Sequence, residues 1–175
     1  PVPATTLEDL DLNEVQELVN RVSRRNPSGY IARLPFEEAM RRLGIVAQLG
    51  EKLAPTLSGL LIFGAYPQQF EQQLRITFVH FFGSSEDELG PNGERFLDNR
   101  SFEGPIPSML EDAMRHIVGA LRKSSLIEGL FRRDVPEYPE LALREALVNS
   151  VAHRDYSDLA RGSYIQVRLF SDRIE

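Results

Sequence analysis

The sequence predicts an α/β protein of the α+β kind, with helices packed on a small antiparallel sheet. Two observations carry this first. Apolar residues recur at helical spacing over Leu12–Arg25, over Ser108–Lys123 and again after Pro139. The stretch LRITFVHFF alternates in the manner of a strand, and the polar, Asn-Gly-bearing run GSSEDELGPNGE that follows it reads as a hairpin loop. A chain of 175 residues with 42% hydrophobic and 26% charged content lies in the globular range.

The bounds narrow the function classes. A net charge of −6 argues against a broadly nucleic-acid-coating surface and leaves room for a local basic patch. The chain has no cysteine, which excludes disulfides and thiolate metal sites and suits a cytoplasmic home. No apolar run approaches membrane-spanning length and no signal-peptide pattern is present, so a soluble protein with no membrane partner is expected. The first residue is not Met, and the last five, SDRIE, read as the middle of a strand. The expectation is an internal fragment of something longer.

In chain order, Pro1–Asp11 is an acidic, proline-bearing lead-in expected to be extended. Leu12, Val15, Leu18, Val19 and Val22 make the first helix, stopped by NPSG. A second helix fits Pro35–Leu43, with proline in its first turn and Gly44 after its end. TLSGLLIFGAYP reads as a short helix capped by Thr56. In the strand Leu74–Phe82, Leu74, Ile76, Phe78, His80 and Phe82 share one face. Val79 and Phe81 lie on the other, expected to be the less buried. Arg95–Phe102 is the return strand.

Ser108 and Glu111 suggest a capping box for the next helix. Its stripe is Leu110, Met114, Ile117, Val118 and Leu121, and Arg122 and Lys123 suit its negative end. SSLIEGLFRR is expected to be one strand, and VPEYPE a connector and boundary. After the helix in YPELALREALVNSVAH come DLARG as a loop and YIQVRLF as a strand, with SDRIE turning into another.

The helix after Pro139 carries the chemistry. Glu145, Asn149 and His153 are spaced four apart, one turn above one another, while Leu141, Ala142, Ala146, Leu147, Val148 and Val151 are what a buried face needs. Leu147 and Val151 are expected to face the core. A carboxylate can take a proton from water, and an amide oxygen can ligate a hard cation such as magnesium. An amphipathic helix exposes such residues by default, so the bare ExxxN spacing does not by itself make a site.

REALVNSVAHRDYS, preceded by YP and followed by GSYIQVRLFSDRIE, resembles the start of the divergent GHKL-type (Bergerat-fold) ATPase domain. That domain is known from bacterial and archaeal transcriptional regulators and ATP-dependent DNA helicase-related proteins. Upstream, PTLSGLLIFGAYPQQF, LRITFVHFFG and NRSFEGPI are similar to the segment those proteins carry after an N-terminal Schlafen/AlbA-type DNA-binding domain. The resemblance runs from about Leu7 to Glu175 and is most specific at REALVN and HRDYS.

The resemblance implies a middle segment over 1–133 and, over 134–175, the N-terminal part of a GHKL-like α/β sandwich. It implies that Glu145 and Asn149 form the N-box of an ATP site. Glu145, the catalytic candidate, would polarise the attacking water, and Asn149 would hold magnesium against the phosphates. His153, Arg154 and Asp155 match the family's HRD and join Asn149 as cofactor-binding candidates. The chain stops before the glycine-containing segment that would hold adenine and ribose, and lacks the DNA-binding core. ATP and Mg2+ are therefore expected in a longer parent protein and not on this fragment, and DNA is expected to be met by domains outside it.

Other patterns fare worse. The kinase loop HRDxxxxN would need asparagine where Ala160 stands. The three histidines, His80, His116 and His153, sit on separate elements without paired ligands at short spacing. His80 reads as a strand histidine with a hydrogen-bond partner and His116 as a helix-surface residue. The pairs Arg24-Arg25, Arg41-Arg42 and Arg132-Arg133 read as helix-end and loop charges rather than phosphate contacts. The rival to an ATP-binding regulator is a non-catalytic dimerisation or interaction module with a decayed nucleotide site. Its expected surfaces are the edge strand YIQVRLF and the face of Val79 and Phe81.

Overall fold

The computed structural model describes residues 1–2, 4–128, 131–157, 159–160 and 162–175, with the backbone alone over 123–128 and 131–135. It has the expected α+β class. The chain divides into two compact units, Pro1–Phe70 with Gly104–Pro107, and Glu71–Glu103 with Ser108–Glu175. The division at Phe70 differs from the sequence boundary at 133, because one sheet takes strands from both sides of residue 133.

In the first unit, the lead-in is not simply extended: Leu7–Asp9 forms a 3-10 turn closed by Thr6 and Asp9. Helix α1 spans Leu12–Arg25. The Asp11 carboxylate accepts from the Asn13 and Glu14 N–H groups at 3.0 and 3.2 Å, supplying partners that the first turn lacks. Helix α2, Phe36–Arg42, follows Pro35 and ends at Leu43, where Gly44 takes the left-handed φ of 72° that stops a helix. Next comes a hairpin that the sequence reading did not mark, β1 Val46–Leu49 and β2 Lys52–Pro55, turning through Gly50 at φ 61°.

Helix α3, Leu57–Phe63, is capped as expected: Thr56 Oγ1 accepts from Gly59 N–H at 2.9 Å. A Cβ on Gly59 would lie 2.0 Å from Ile45 O, so this close approach requires glycine. Leu10, Val15, Met40, Ile45 and Val46 form the core of this unit.

The second unit is built on a three-stranded sheet. Strand β3, Ile76–His80, pairs antiparallel with β4, Asp98–Phe102, so that His80 faces Asp98 and Phe78 faces Arg100. After β4 come helix α4, Ile106–Ala120, then β5, Lys123–Glu128, and β6, Phe131–Pro136, then helix α5, Glu140–Ala152. Strand β7, Ile165–Leu169, then joins the free side of β3 in parallel. The sheet is therefore mixed, in the order β4-β3-β7, rather than antiparallel throughout.

Helix α4, Ile106–Ala120, begins ahead of Ser108, so Ser108 lies within its first turn and is not its N-cap. Proline at 107 suits that first turn. Arg122 and Lys123 fall beyond the helix end. SSLIEGLFRR is an antiparallel hairpin of β5 and β6 rather than one strand, and Gly129 and Leu130 within it lie outside the described residues.

Strand β3 is buried on both faces, as a central strand covered on each side must be. Val79 and Phe81, expected on a less buried face, are each 5% exposed and pack with Phe170. The Phe81 and Phe170 rings stack at 4.7 Å with planes 5° apart. SDRIE turns back on β7: Arg168 and Glu175 exchange backbone hydrogen bonds of 2.9 and 2.8 Å, and Ile174 bridges Leu169. This return covers the edge of β7 on which the dimer expectation rested.

Candidate functional site

Helix α5 places the polar row. Pro139 precedes its first residue and Glu140 lies in the positive first turn. Leu147 and Val151 are buried at 5% exposure each and hold the helix to its unit. Leu143 and Leu147 line a small apolar cavity of about 150 Å³ together with Ile117, Ile165 and Val167, so the inner side of α5 rests beside α4 and β7. Glu145 and Asn149 are exposed, one turn apart on the opposite side. Neither side chain has a hydrogen-bond or ion-pair partner among the described residues.

The apolar set around this row is smaller than expected. Leu141 is 68% and Val148 42% exposed, because they lie on the half of the helix that carries Glu145 rather than on the half carrying Leu147. His153 ends the helix: it is the C-cap, its N–H donating to Asn149 O at 2.9 Å, and its ring is exposed.

Arg154 and Asp155 turn away from the row into the loop that follows. Arg154 Nη2 donates to Ser163 O, and its guanidinium lies 5.7 Å from the Tyr156 ring centre. Burial lowers the Arg154 pKa, with Tyr156 opposing, and the Arg154 Nε has no partner among the described residues. The Tyr156 hydroxyl donates to Val151 O at 2.8 Å, tying the loop to the helix end. Asp155 Oδ1 accepts from Ser157 N–H at 2.8 Å, and that backbone bond holds its carboxyl below the usual range. Asp158 and Arg161 of DLARG lie outside the described residues. The structure thus brings Glu145, Asn149 and the His153 end of α5 together, while Arg154 and Asp155 serve the loop's own backbone.

A second polar cluster escaped the sequence. His116, read as a helix-surface residue, sets Nε2 at 2.6 Å from Asp98 Oδ2. Its ring meets Phe78 edge-on at 5.2 Å and Phe102 at 5.5 Å. Asp98 also stands opposite His80, whose pKa burial pushes down while Asp98 pulls it up. The pair borders an open depression of about 620 Å³ between β4 and α4, with Arg100 and Arg115 on its rim. Nothing local in the sequence links residues 18 apart on a strand and a helix. Among the described residues, no three acidic or histidine side chains gather as a metal-binding group.

A family model described as a domain of unknown function (DUF8451) matches residues 1–77, close to the first unit and the start of β3. No curated protein matches the chain. A similar solved structure is the DIP2311 protein from Corynebacterium diphtheriae, 24% identical, with a TM-score of 0.56. The alignment covers 97% of this chain and 30% of that one, so the chain spans less than a third of the length of that relative. The likeness is one of fold.

Proposed function

We propose that this chain is part of a larger, cytoplasmic, nucleotide-responsive regulator that acts on DNA, of the helicase-related kind its sequence resembles, and that α5 supplies the phosphate side of its Mg-ATP site. One observation supports the reading above others: Glu145 and Asn149 stand exposed on one side of α5 with no side-chain partner among the described residues, and Leu147 and Val151 anchor the other. A helix fixed from beneath presents its outer row without reorganisation, which lowers the cost of binding.

The residue types fit the ligand. Magnesium at nucleotide sites takes one or two protein oxygens and fills its octahedron with phosphate and water, so a single amide oxygen suffices. Asn149 Oδ1 would be that ligand. The Glu145 carboxylate would orient a water and accept its proton. Mg-ATP itself brings the activated phosphoanhydride. His153, at the helix end, would add a hydrogen bond on the same side. Arg154 and Asp155 fit less well, since the loop already holds their polar atoms. DNA contact belongs to other domains of the larger protein.

Calorimetry with Mg-ATP on the longer protein tests the reading. Asn149→Ala should weaken binding about tenfold or more, the value of a lost charge-assisted contact. Glu145→Gln should keep binding and lose turnover. Affinity and turnover unchanged by both would overturn it. The engagement of Arg154 and Asp155 within their loop favours one other reading, an interaction module whose nucleotide site has decayed. That reading expects no Mg-ATP heat from the longer protein at all.

A further inference from the structure

We propose that two copies of this chain pair through their β4 strands, antiparallel and centred on Asn99, to make one continuous sheet. The inference does not depend on nucleotide binding. Strand β4 pairs only with β3 among the described residues, and Asn99, Arg100 and Ser101 along it are exposed. The opposite side of the sheet is closed, since β7 is met by Ile174 and Glu175. An open strand edge is a row of unpaired N–H and C=O groups that favours a further strand.

The edge also has a place for that strand. The depression of about 620 Å³ runs beside β4, with α4 as its far wall. Gly119 and Ala120 keep that wall low, and a Cβ at Gly119 would meet no atom of the described residues within 4 Å. An edge strand flanked by a helix, with a groove between them, is the arrangement in which extended segments are added to sheets.

Charge selects a second copy and fixes the register. Asp98, Arg100 and Phe102 share the face of β4 toward α4, because Asp98 and Phe102 both touch His116 and side chains alternate along a strand. Arg100 has no ion pair among the described residues. Asp98 gives Oδ2 to His116 and keeps Oδ1 free of any hydrogen bond among the described residues. Antiparallel pairing centred on Asn99 sets Asp98 against the second copy's Arg100, and Arg100 against the second copy's Asp98. Centring on Arg100 would oppose two guanidinium groups. Centring on Ser101 would set Arg100 against Phe102 and leave Asp98 without a partner. Opposite charges directly across a strand pair stabilise it and like charges do the reverse, so the Asn99-centred register wins. With Asn99 at the centre, three residues of β4 on each side pair with one another, Asp98 to Arg100, and bury less than the roughly 1,200 Å² of a stable interface, so the association is weak and salt-sensitive.

The chain lacks cysteine, so a single introduced thiol reports on itself alone. Residues directly opposed in an antiparallel pair lie within disulfide reach, so Asn99→Cys should oxidise to a dimer about tenfold faster than Ser101→Cys. High salt should slow it. Both positions are exposed, and melting curves matching the parent confirm that the fold is kept. Sedimentation of the unmodified chain should show a mass that rises with concentration, and Arg100→Asp should abolish the rise. Equal cross-linking at the two positions would overturn the proposal. So would faster cross-linking at Ser101, a strictly monomeric parent at every concentration, or an edge that captures an unrelated extended peptide without pairing to itself.

Discussion

His116 Nε2 lies 2.6 Å from Asp98 Oδ2, joining helix α4 to the edge strand of the sheet. The bond is backed by ring contacts, His116 meeting Phe78 at 5.2 Å with planes 79° apart. Removing the ring leaves Asp98 without that partner and opens space against two phenyl groups. His116→Ala should therefore cost about 1–3 kcal/mol in urea denaturation. Asp98→Asn keeps an oxygen at the same place and should cost less. An asparagine as damaging as the alanine would mean that the carboxylate charge, not the hydrogen bond, holds the helix.

His80 makes stability depend on pH in a stated direction. Burial lowers its pKa below the ordinary value, Arg122 adds to this and Asp98 opposes it. The unfolded chain then binds the proton more readily than the folded one. The stabilising contribution is present above the ordinary histidine pKa, near 6.5, and is lost as pH falls through the lowered folded value. His80→Gln should flatten the fall in stability between neutral and mildly acid pH. A fall equally steep in the variant would place the proton uptake elsewhere.

Much of the fold was legible because its signals are local. The apolar row of Leu12–Arg25 with NPSG after it, proline at 35 with Gly44, and Thr56 ahead of a short apolar run each carry their own start or stop chemistry, and α1, α2 and α3 follow them, while the cap that Asp11 gives α1 shows only in the structure. What stayed hidden depends on distant partners. The alternation in LRITFVHFF suggests one wet face, yet Phe170, far along the chain, arrives to bury Val79 and Phe81. The Ser108 capping pattern lost to a helix that starts upstream, where Pro107 tolerates the first turn. In α5 the buried pair Leu147 and Val151 could be read from spacing, and once they fix the buried half, the same spacing puts Leu141 and Val148 on the exposed half with Glu145. The Asp98–His116 link is tertiary and has no signal in either residue's neighbours.

Arg154 should act on its loop before it acts on any ligand. It donates to Ser163 O and lies over Tyr156, whose hydroxyl reaches back to Val151 O at 2.8 Å. Arg154→Met keeps the stem and loses the donor. Limited proteolysis between His153 and Ser163 should accelerate several-fold, while the global melting temperature moves little, since local opening and global unfolding are separate events. Proteolysis at the parent rate would show that the loop is held by Asp155 and Tyr156 without the guanidinium.

Glu145 and Asn149 should be nearly silent in the stability of this chain. Both are exposed and neither side chain is bonded among the described residues, so Glu145→Gln and Asn149→Ala should stay within about 0.5 kcal/mol of the parent. The same exposure predicts weak nucleotide binding by the 175 residues alone. Phosphate-side contacts must offset the association cost, and without a base pocket they leave little surplus. A titration with Mg-ATP should show no saturation in the micromolar range, whereas the longer protein should saturate there. Micromolar binding by this chain, lost in Asn149→Ala, would mean that α5 and its surroundings form a complete site. Micromolar binding indifferent to Asn149 would move the site away from α5 altogether.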